Sequence, residues 1–122
     1  MAKKILVVDD EPQIVQLLSN RLRANGYETY GANDSYQCIK ITQEIKPDLI
    51  LLDIKMPAGG GIQAFNNLKA SAYTSVIPII FITANHSEEV KREVINMGAD
   101  GFFAKPFNSV ELLNLIKGLI GE

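Results

Sequence analysis

Three aspartates, a threonine and a lysine stand where they could handle a phosphoryl group, each close behind a short apolar run. Asp9 and Asp10 follow Ile5-Leu6-Val7-Val8, Asp53 follows Leu49-Ile50-Leu51-Leu52, Thr83 follows Ile79-Ile80-Phe81-Ile82, and Lys105 follows Gly101-Phe102-Phe103-Ala104. If the runs are parallel strands, their carboxyl ends meet along one sheet edge, which is where such sheets bind ligands. Neighbouring carboxylates repel and raise one another's pKa unless a cation neutralises them. An open, oxygen-rich set of this kind suits Mg²⁺, which keeps several waters and takes only one or two protein carboxylates. A carboxylate can also accept a phosphoryl group as an acyl phosphate. The incoming group spreads charge over three equatorial oxygens, so its transfer is a matter of positioning and neutralisation. Mg²⁺ could neutralise one oxygen and the Lys105 ammonium a second, while the Thr83 hydroxyl donates a hydrogen bond to the third.

The elements needed to place these groups are legible along the chain. Apolar runs alternate with helix-period segments, the pattern of an α/β fold with a parallel sheet. Strands are predicted at about 4–8, 27–30, 49–52, 77–82 and 101–104, and helices after each of them. The first helix has Pro12 near its start and Gly26 past its end, with Ile14, Val15, Leu18 and Leu22 on one side. The second runs over about 35–45 and stops before Pro47. A Gly59-Gly60-Gly61 loop is predicted to precede the third, over about 62–70. Ser87 is the expected N-cap of the fourth helix, with Glu88 and Glu89 in its first turn and Gly98 past its end. Asn108 and Glu111 form a capping-box pattern before the fifth.

Composition narrows the function classes. The 122 residues fit one domain, with 47% hydrophobic and 21% charged residues, inside the globular range. A net charge of −2 with no long basic run argues against direct nucleic-acid binding. The N-terminus lacks the pattern of a secretory signal, and no apolar stretch is long enough to span a membrane. Cys38 is the only cysteine, so an internal disulfide is impossible; the expected setting is a reducing cytoplasm and the expected role is helix packing. His86 is isolated and reads as a loop residue. The glycine triplet is not followed by Gly-Lys-Ser/Thr, which argues against a nucleotide-binding loop.

Taken together, Val7-Val8-Asp9-Asp10-Glu11, Asp53-Ile54-Lys55-Met56-Pro57 with Gly61 beyond it, Thr83-Ala84, Gly98-Ala99-Asp100 and Lys105-Pro106-Phe107 resemble the response-regulator receiver family of two-component signalling, chemotaxis regulators included. The resemblance covers essentially the whole chain. It implies a three-layer αβα, flavodoxin-like doubly wound fold whose five-stranded parallel sheet has the order 2-1-3-4-5; that order comes from the family, whose members are a standard example of it.

It also implies roles. Asp53 matches the phosphoacceptor, Asp10 a direct Mg²⁺ ligand, Asp9 an outer-sphere one, and the Lys55 backbone carbonyl a further ligand, with Asp53 itself also on the metal. Lys105 and Thr83 match the phosphoryl-binding pair, and the Lys105–Pro106 bond is expected to be cis, aiming the lysine into the site. Phe102 matches the switch aromatic that turns inward when the threonine moves toward the phosphate. The implied partners are a sensor histidine kinase or histidine phosphotransfer protein as donor and a downstream protein target. The protein would be a monomer or a phosphorylation-dependent dimer, without direct contact to nucleic acid or membrane.

Three features depart from the family pattern. Phe102 lacks the hydroxyl of the tyrosine often found there, Ala58-Gly59-Gly60 is looser than the usual loop, and Lys55 and Asn85 occupy positions that tune acyl-phosphate lifetime. Glu11 reads as a helix-start charge. The last helix spreads Val110, Leu112, Leu113, Leu115, Ile116, Leu119 and Ile120 over more circumference than one buried stripe needs, which suggests a partner or dimer surface. The sequence expectation is a stand-alone receiver over residues 1–122 with no output domain: a switch that catalyses its own phosphorylation and dephosphorylation and turns over no external substrate. A Mg²⁺-dependent hydrolase with an aspartyl nucleophile is the competing class, but Pro12 stands two residues after Asp10, where that class places a general acid. A pseudoreceiver is disfavoured by the complete residue set.

Overall fold

The structure is a computed structural model and describes residues 2–56, 60–84 and 87–121. The chain alternates β1 (Lys4–Val8), α1 (Pro12–Ala24), β2 (Glu28–Ala32), α2 (Ser35–Ile45), β3 (Leu49–Leu52), α3 (Gly60–Lys69), β4 (Ile79–Thr83), α4 (Glu88–Asn96), β5 (Gly101–Ala104) and α5 (Ser109–Ile120). The five strands form one parallel sheet in the order β2-β1-β3-β4-β5, as the resemblance implied.

The pleat divides the apolar residues into two layers. Ile5, Val7, Leu49, Leu51, Ile80 and Ile82 point to one face and pack with Leu18 and Leu22 of α1 and Leu112 and Ile116 of α5. Leu6, Val8, Ile50, Leu52, Ile79 and Phe81 point to the other, against Cys38 of α2, Ala64, Phe65 and Leu68 of α3, and Val94 of α4. All residues of β3 and β4 are buried, as strands covered by helices on both faces must be.

Caps fix the helix starts. Asp34, Ser87 and Asn108 accept hydrogen bonds from the backbone N–H groups of Gln37, Val90 and Glu111, satisfying donors that the helix itself leaves open. Two carboxylates fasten the opposite edge of the sheet: Asp48 accepts from Lys4 N–H and Asp100 from Ile79 N–H.

Several predicted boundaries shift for identifiable reasons. β2 begins at Glu28 and continues to Ala32, because pairing with β1 runs from Lys4↔Glu28 to Val8↔Ala32. Gly31 suits it there, since a Cβ would come within 2.9 Å of Val15 Cγ1 in the overlying helix. β4 begins at Ile79, since Ile77 N–H is engaged in a turn with Thr74, and it runs on through Thr83. The predicted glycine loop is corrected: Gly60 and Gly61 open α3, while Gly59 lies outside the described residues, as do Pro57, Ala58, Asn85 and His86. Gly61 N–H donates to Ile54 carbonyl oxygen at 2.7 Å, which joins the start of α3 to the segment after β3.

Most of the apolar excess on α5 is absorbed by packing. Leu112 and Ile116 are buried, Leu113, Leu115, Leu119 and Ile120 are half-buried against the same layer, and Val110 is 66% exposed. Cys38 is fully buried, and that burial pushes its thiol pKa up to about 12, as befits a packing residue.

Candidate functional site

The carboxyl ends of β1, β3, β4 and β5 converge on one cleft. Backbone pairing carries the acidic residues into place: Asp53 N–H donates to Val8 carbonyl oxygen at 2.9 Å, and Asp9 N–H to Ala32 carbonyl oxygen at 3.1 Å. Lys105 N–H donates to Thr83 carbonyl oxygen at 2.9 Å, so the last residue of β4 and the lysine after β5 are held together. The Lys105–Pro106 bond is cis. A cleft of about 530 Å³ is lined by Asp10, Glu11, Asp53, Lys55, Met56, Thr83, Ala84 and Lys105.

Asp9, Asp10 and Asp53 each offer a carboxylate oxygen within 4.8 Å of the others. Asp9 and Asp53 are buried and Asp10 is exposed. The Asp9 carboxylate accepts from Glu11 N–H at 2.9 Å, and Asp53 receives a long contact from Lys55 N–H at 3.4 Å. Lys105 Nζ sits among the acids, 2.7 Å from Asp9 Oδ2, 3.1 Å from Glu11 Oε1 and 3.5 Å from Asp53 Oδ2. The cleft therefore gathers four carboxylates around one ammonium, with Thr83 fully buried beside them.

The electrostatics follow from this crowding. Burial raises the Asp53 pKa; Lys105, Lys55 N–H and the Thr83 hydroxyl pull it back, and Asp10 pushes it up again. Asp9 is raised for the same first reason, with Lys105 and Glu11 N–H opposing and Asp53 adding to the shift. Burial works against the Lys105 ammonium, but its bonds to Asp9 and Glu11 and its attraction to Asp53 and Asp9 outweigh it, and its pKa is raised. Such a set is short of positive charge. Its donors are all oxygens, two of them buried and one open to solvent, which fits a hard, partly hydrated divalent cation such as Mg²⁺.

The sequence reading assembled Asp9, Asp10, Asp53, Thr83 and Lys105, and the fold brings all five together. Lys55 lines the same cleft. Phe102 lies outside it, half-buried in β5 and packed on the α2–α3–α4 side of the sheet. Glu11 was missed as a member of the site. Its place directly after the aspartate pair was the available signal, but helix-start acids are common enough to hide it.

A doubly wound parallel sheet carrying an acidic, lysine-bridged cleft at its carboxyl edge defines the phosphoryl-receiving class of α/β signalling domains. The sequence pattern of the response regulator receiver domain matches residues 5–117, and the chain belongs to that family. It is 38% identical over 120 residues to the phosphate regulon transcriptional regulatory protein PhoB of Escherichia coli, covering 98% of this chain and 52% of that protein. The chain thus spans about half the length of the curated relatives it matches. Among solved structures, the chemotaxis response regulator CheY4 of Vibrio cholerae superposes with a TM-score of 0.89 at 31% identity, covering 98% of this chain and 99% of that one. The receiver domain of a Pseudomonas aeruginosa sensor histidine kinase, solved with a magnesium ion coordinated in the active site cleft, gives 0.89 at 28% identity over the whole of both chains. This protein is a receiver domain of two-component signalling whose acidic pocket of Asp9, Asp10 and Asp53 fits phosphorylation and Mg²⁺ binding. No helix among the described residues is long and apolar enough to cross a membrane.

Proposed function

We propose that Asp53 is the phosphoacceptor and that residues 1–122 act as a single receiver unit in the cytoplasm, taking a phosphoryl group from the phosphohistidine of a sensor kinase or phosphotransfer protein. The observation that carries this reading is the position of Asp53: buried, within metal-sharing distance of Asp9 and Asp10, and 3.5 Å from Lys105 Nζ. An Asp53 carboxylate oxygen attacks phosphorus, the P–N bond to the donor imidazole breaks, and the electron pair returns to the ring nitrogen. Asp10, Asp53 and the Lys55 carbonyl are the residues to hold Mg²⁺ directly, and Asp9 through water. When bound, Mg²⁺ supplies the charge neutralisation that a dianionic phosphoryl group needs among these carboxylates. Lys105 takes a second phosphoryl oxygen and the Thr83 hydroxyl a third.

The switch reading comes from the family resemblance, and strand geometry supports it. Phe81 pairs with Phe102 and Thr83 with Ala104, so Thr83 and Phe102 face the same side of the sheet one pleat apart. A Thr83 side chain drawn toward phosphorylated Asp53 vacates space that half-buried Phe102 can fill. The rearranged β4–α4–β5–α5 region, with exposed Ile95 and Val110, then meets a downstream target or a second copy of the chain. The activity is confined to the protein's own phosphorylation and hydrolysis, with no external substrate turned over. Incubation with Mg²⁺ and acetyl phosphate, read by intact mass, tests the assignment. Wild type should gain one labile phosphoryl group and Asp53→Asn none; equal labelling of the two would refute Asp53 as acceptor.

A further inference from the structure

Glu11 is the one carboxylate of the cleft to which the phosphoryl chemistry gives no task, and it is not idle. Its Oε1 lies 3.1 Å from Lys105 Nζ, closer than Asp53 Oδ2 at 3.5 Å, while its side chain is 58% exposed against 6% for Asp53. Lys105 is 13% exposed, so the amine is held inside the cleft with Glu11 on its solvent side. Asp9 grips the amine at 2.7 Å and is itself fixed by Glu11 N–H. The weakest of the three contacts is therefore the one to the residue that must receive the phosphoryl group.

We infer that Glu11 is a positioning residue that restrains Lys105: it competes with Asp53 and with the phosphoryl oxygens for the ammonium, and so sets how readily the cleft accepts a phosphoryl group. This rests on Asp53 being the acceptor. An ammonium offers three donors in a compact charge, and each carboxylate sharing it lowers the charge it can direct at a phosphoryl oxygen. Glu11 reaches the amine from α1's N-cap position through a flexible exposed side chain, so it can be given up at little cost, as exposed ion pairs contribute little. Its removal shifts the balance toward Asp53 without stripping the amine of Asp9.

The decisive variants are Glu11→Gln and Glu11→Asp. Glutamine removes the competing charge. Aspartate keeps an acid at the start of α1 but is one methylene short of Lys105. Phosphorylation by acetyl phosphate with saturating Mg²⁺ is followed by intact mass, and both variants should be labelled about two- to fivefold faster than wild type, the scale of an exposed ion pair. Placed in a Lys105→Met background, Glu11→Gln should change the rate no further. A role limited to stabilising the start of α1 would alter thermal stability in Glu11→Gln, leave Glu11→Asp at the wild-type rate, and overturn the inference. So would a slower Glu11→Gln, or an acceleration that persists without Lys105. Wild type labelled at Asp53 with both variants unchanged refutes the role of Glu11 alone, whereas wild type that gains no phosphoryl group refutes the acceptor and Glu11 together.

Discussion

Two glycine-to-alanine substitutions, identical in chemistry and both within helices, should have opposite effects. At Gly61 an added Cβ would lie 2.0 Å from the Asp53 carbonyl oxygen, and 2.9 Å from both the Asp53 carbonyl carbon and Ile54 Cα. Separations under 3.0 Å essentially never occur for real Cβ atoms, so either the start of α3 or the backbone of Asp53 must move by about 1 Å. Neither moves freely: Gly61 N–H is bonded to Ile54 carbonyl oxygen at 2.7 Å, and Asp53 N–H to Val8 at 2.9 Å. Overpacking an interior costs about 1–3 kcal/mol, occasionally more. A clash with backbone on both sides belongs at the upper end, and at about 3 kcal/mol it would remove a large share of the ~5–15 kcal/mol typical of a domain. At Gly118, on the exposed side of α5, a Cβ meets nothing within 4 Å. Alanine there should stabilise by about 0.5–1 kcal/mol through the lower entropy of the unfolded chain and better helix propensity.

Urea denaturation of both variants beside wild type measures this directly, and phosphorylation by acetyl phosphate measures its consequence at the site. Gly61→Ala should lower the denaturation midpoint strongly and slow labelling of Asp53, whose main chain is the clashing group. Gly118→Ala should raise the midpoint and leave labelling unchanged. A Gly61→Ala protein with wild-type stability and wild-type labelling would refute the packing argument that ties α3 to the acceptor. Loss of stability in Gly118→Ala would refute the claim that space, and not the glycine itself, decides the sign.

The same cleft makes further expectations checkable. Burial holds the Asp53 carboxyl above the usual carboxylate range in the folded protein, so its ionisation costs stability; that cost is absent below about pH 4, where the unfolded carboxyl is protonated too, and grows as pH rises from there to the folded pKa. Asp53→Asn should therefore stabilise the metal-free protein at pH 7, and the gain should shrink as pH falls toward 4, read by thermal melts in chelator; a constant gain at both pH values would count against the burial argument. Mg²⁺ should raise the melting temperature of wild type by ligand linkage, with the increment largely lost in Asp10→Asn; an equal increment in that variant would remove Asp10 from the ligand set. Lys105→Ala should destabilise the metal-free protein by about 3 kcal/mol or more, since loss of one member of a buried ion pair leaves uncompensated charge. That variant should also uncouple labelling of Asp53 from any change in Phe102 environment, seen by aromatic NMR; a normal aromatic response would exclude Lys105 from the relay.

Much of the site was legible because strand ends are. Asp9, Asp10, Asp53, Thr83 and Lys105 each close or follow an apolar run, and a parallel sheet leaves the ends of those runs one place to meet. Strand order was not contained in the runs themselves and came from family resemblance. What escaped the sequence depended on contacts between distant segments. Gly60 and Gly61 read as loop because glycine is a poor helix former, whereas the close approach of α3 to the Asp53 backbone requires a residue without a side chain. The C-terminal end of β2 is not legible in sequence because Gly31 and Ala32 carry no strand signal of their own, and pairing with Val7 and Val8 supplies it. Glu11 reads in sequence as a charge of its own helix because its partner lies 94 residues away.

The charge balance explains why these groups make a switch and not merely a metal site. Among the described residues four carboxylates, those of Asp9, Asp10, Glu11 and Asp53, gather around the Lys105 ammonium, and burial already raises the pKa of two of them. Mg²⁺ would relieve that excess, and a phosphoryl group on Asp53, the proposed acceptor, would then add negative charge back within reach of Lys105, whose Nζ lies 3.5 Å from Asp53 Oδ2. Thr83 and Lys105, the pair proposed to meet it, belong to β4 and to the residue after β5, which are joined by Lys105 N–H on Thr83 carbonyl oxygen. On the proposed assignment, phosphorylation pulls on the β4–β5 end of the sheet. The β1–β3 end, where Asp9 and Asp53 are pinned by backbone bonds to Ala32 and Val8, serves as the fixed support. On that assignment, a signal generated in the cleft is directed toward α4, β5 and α5 by which strand carries which charge.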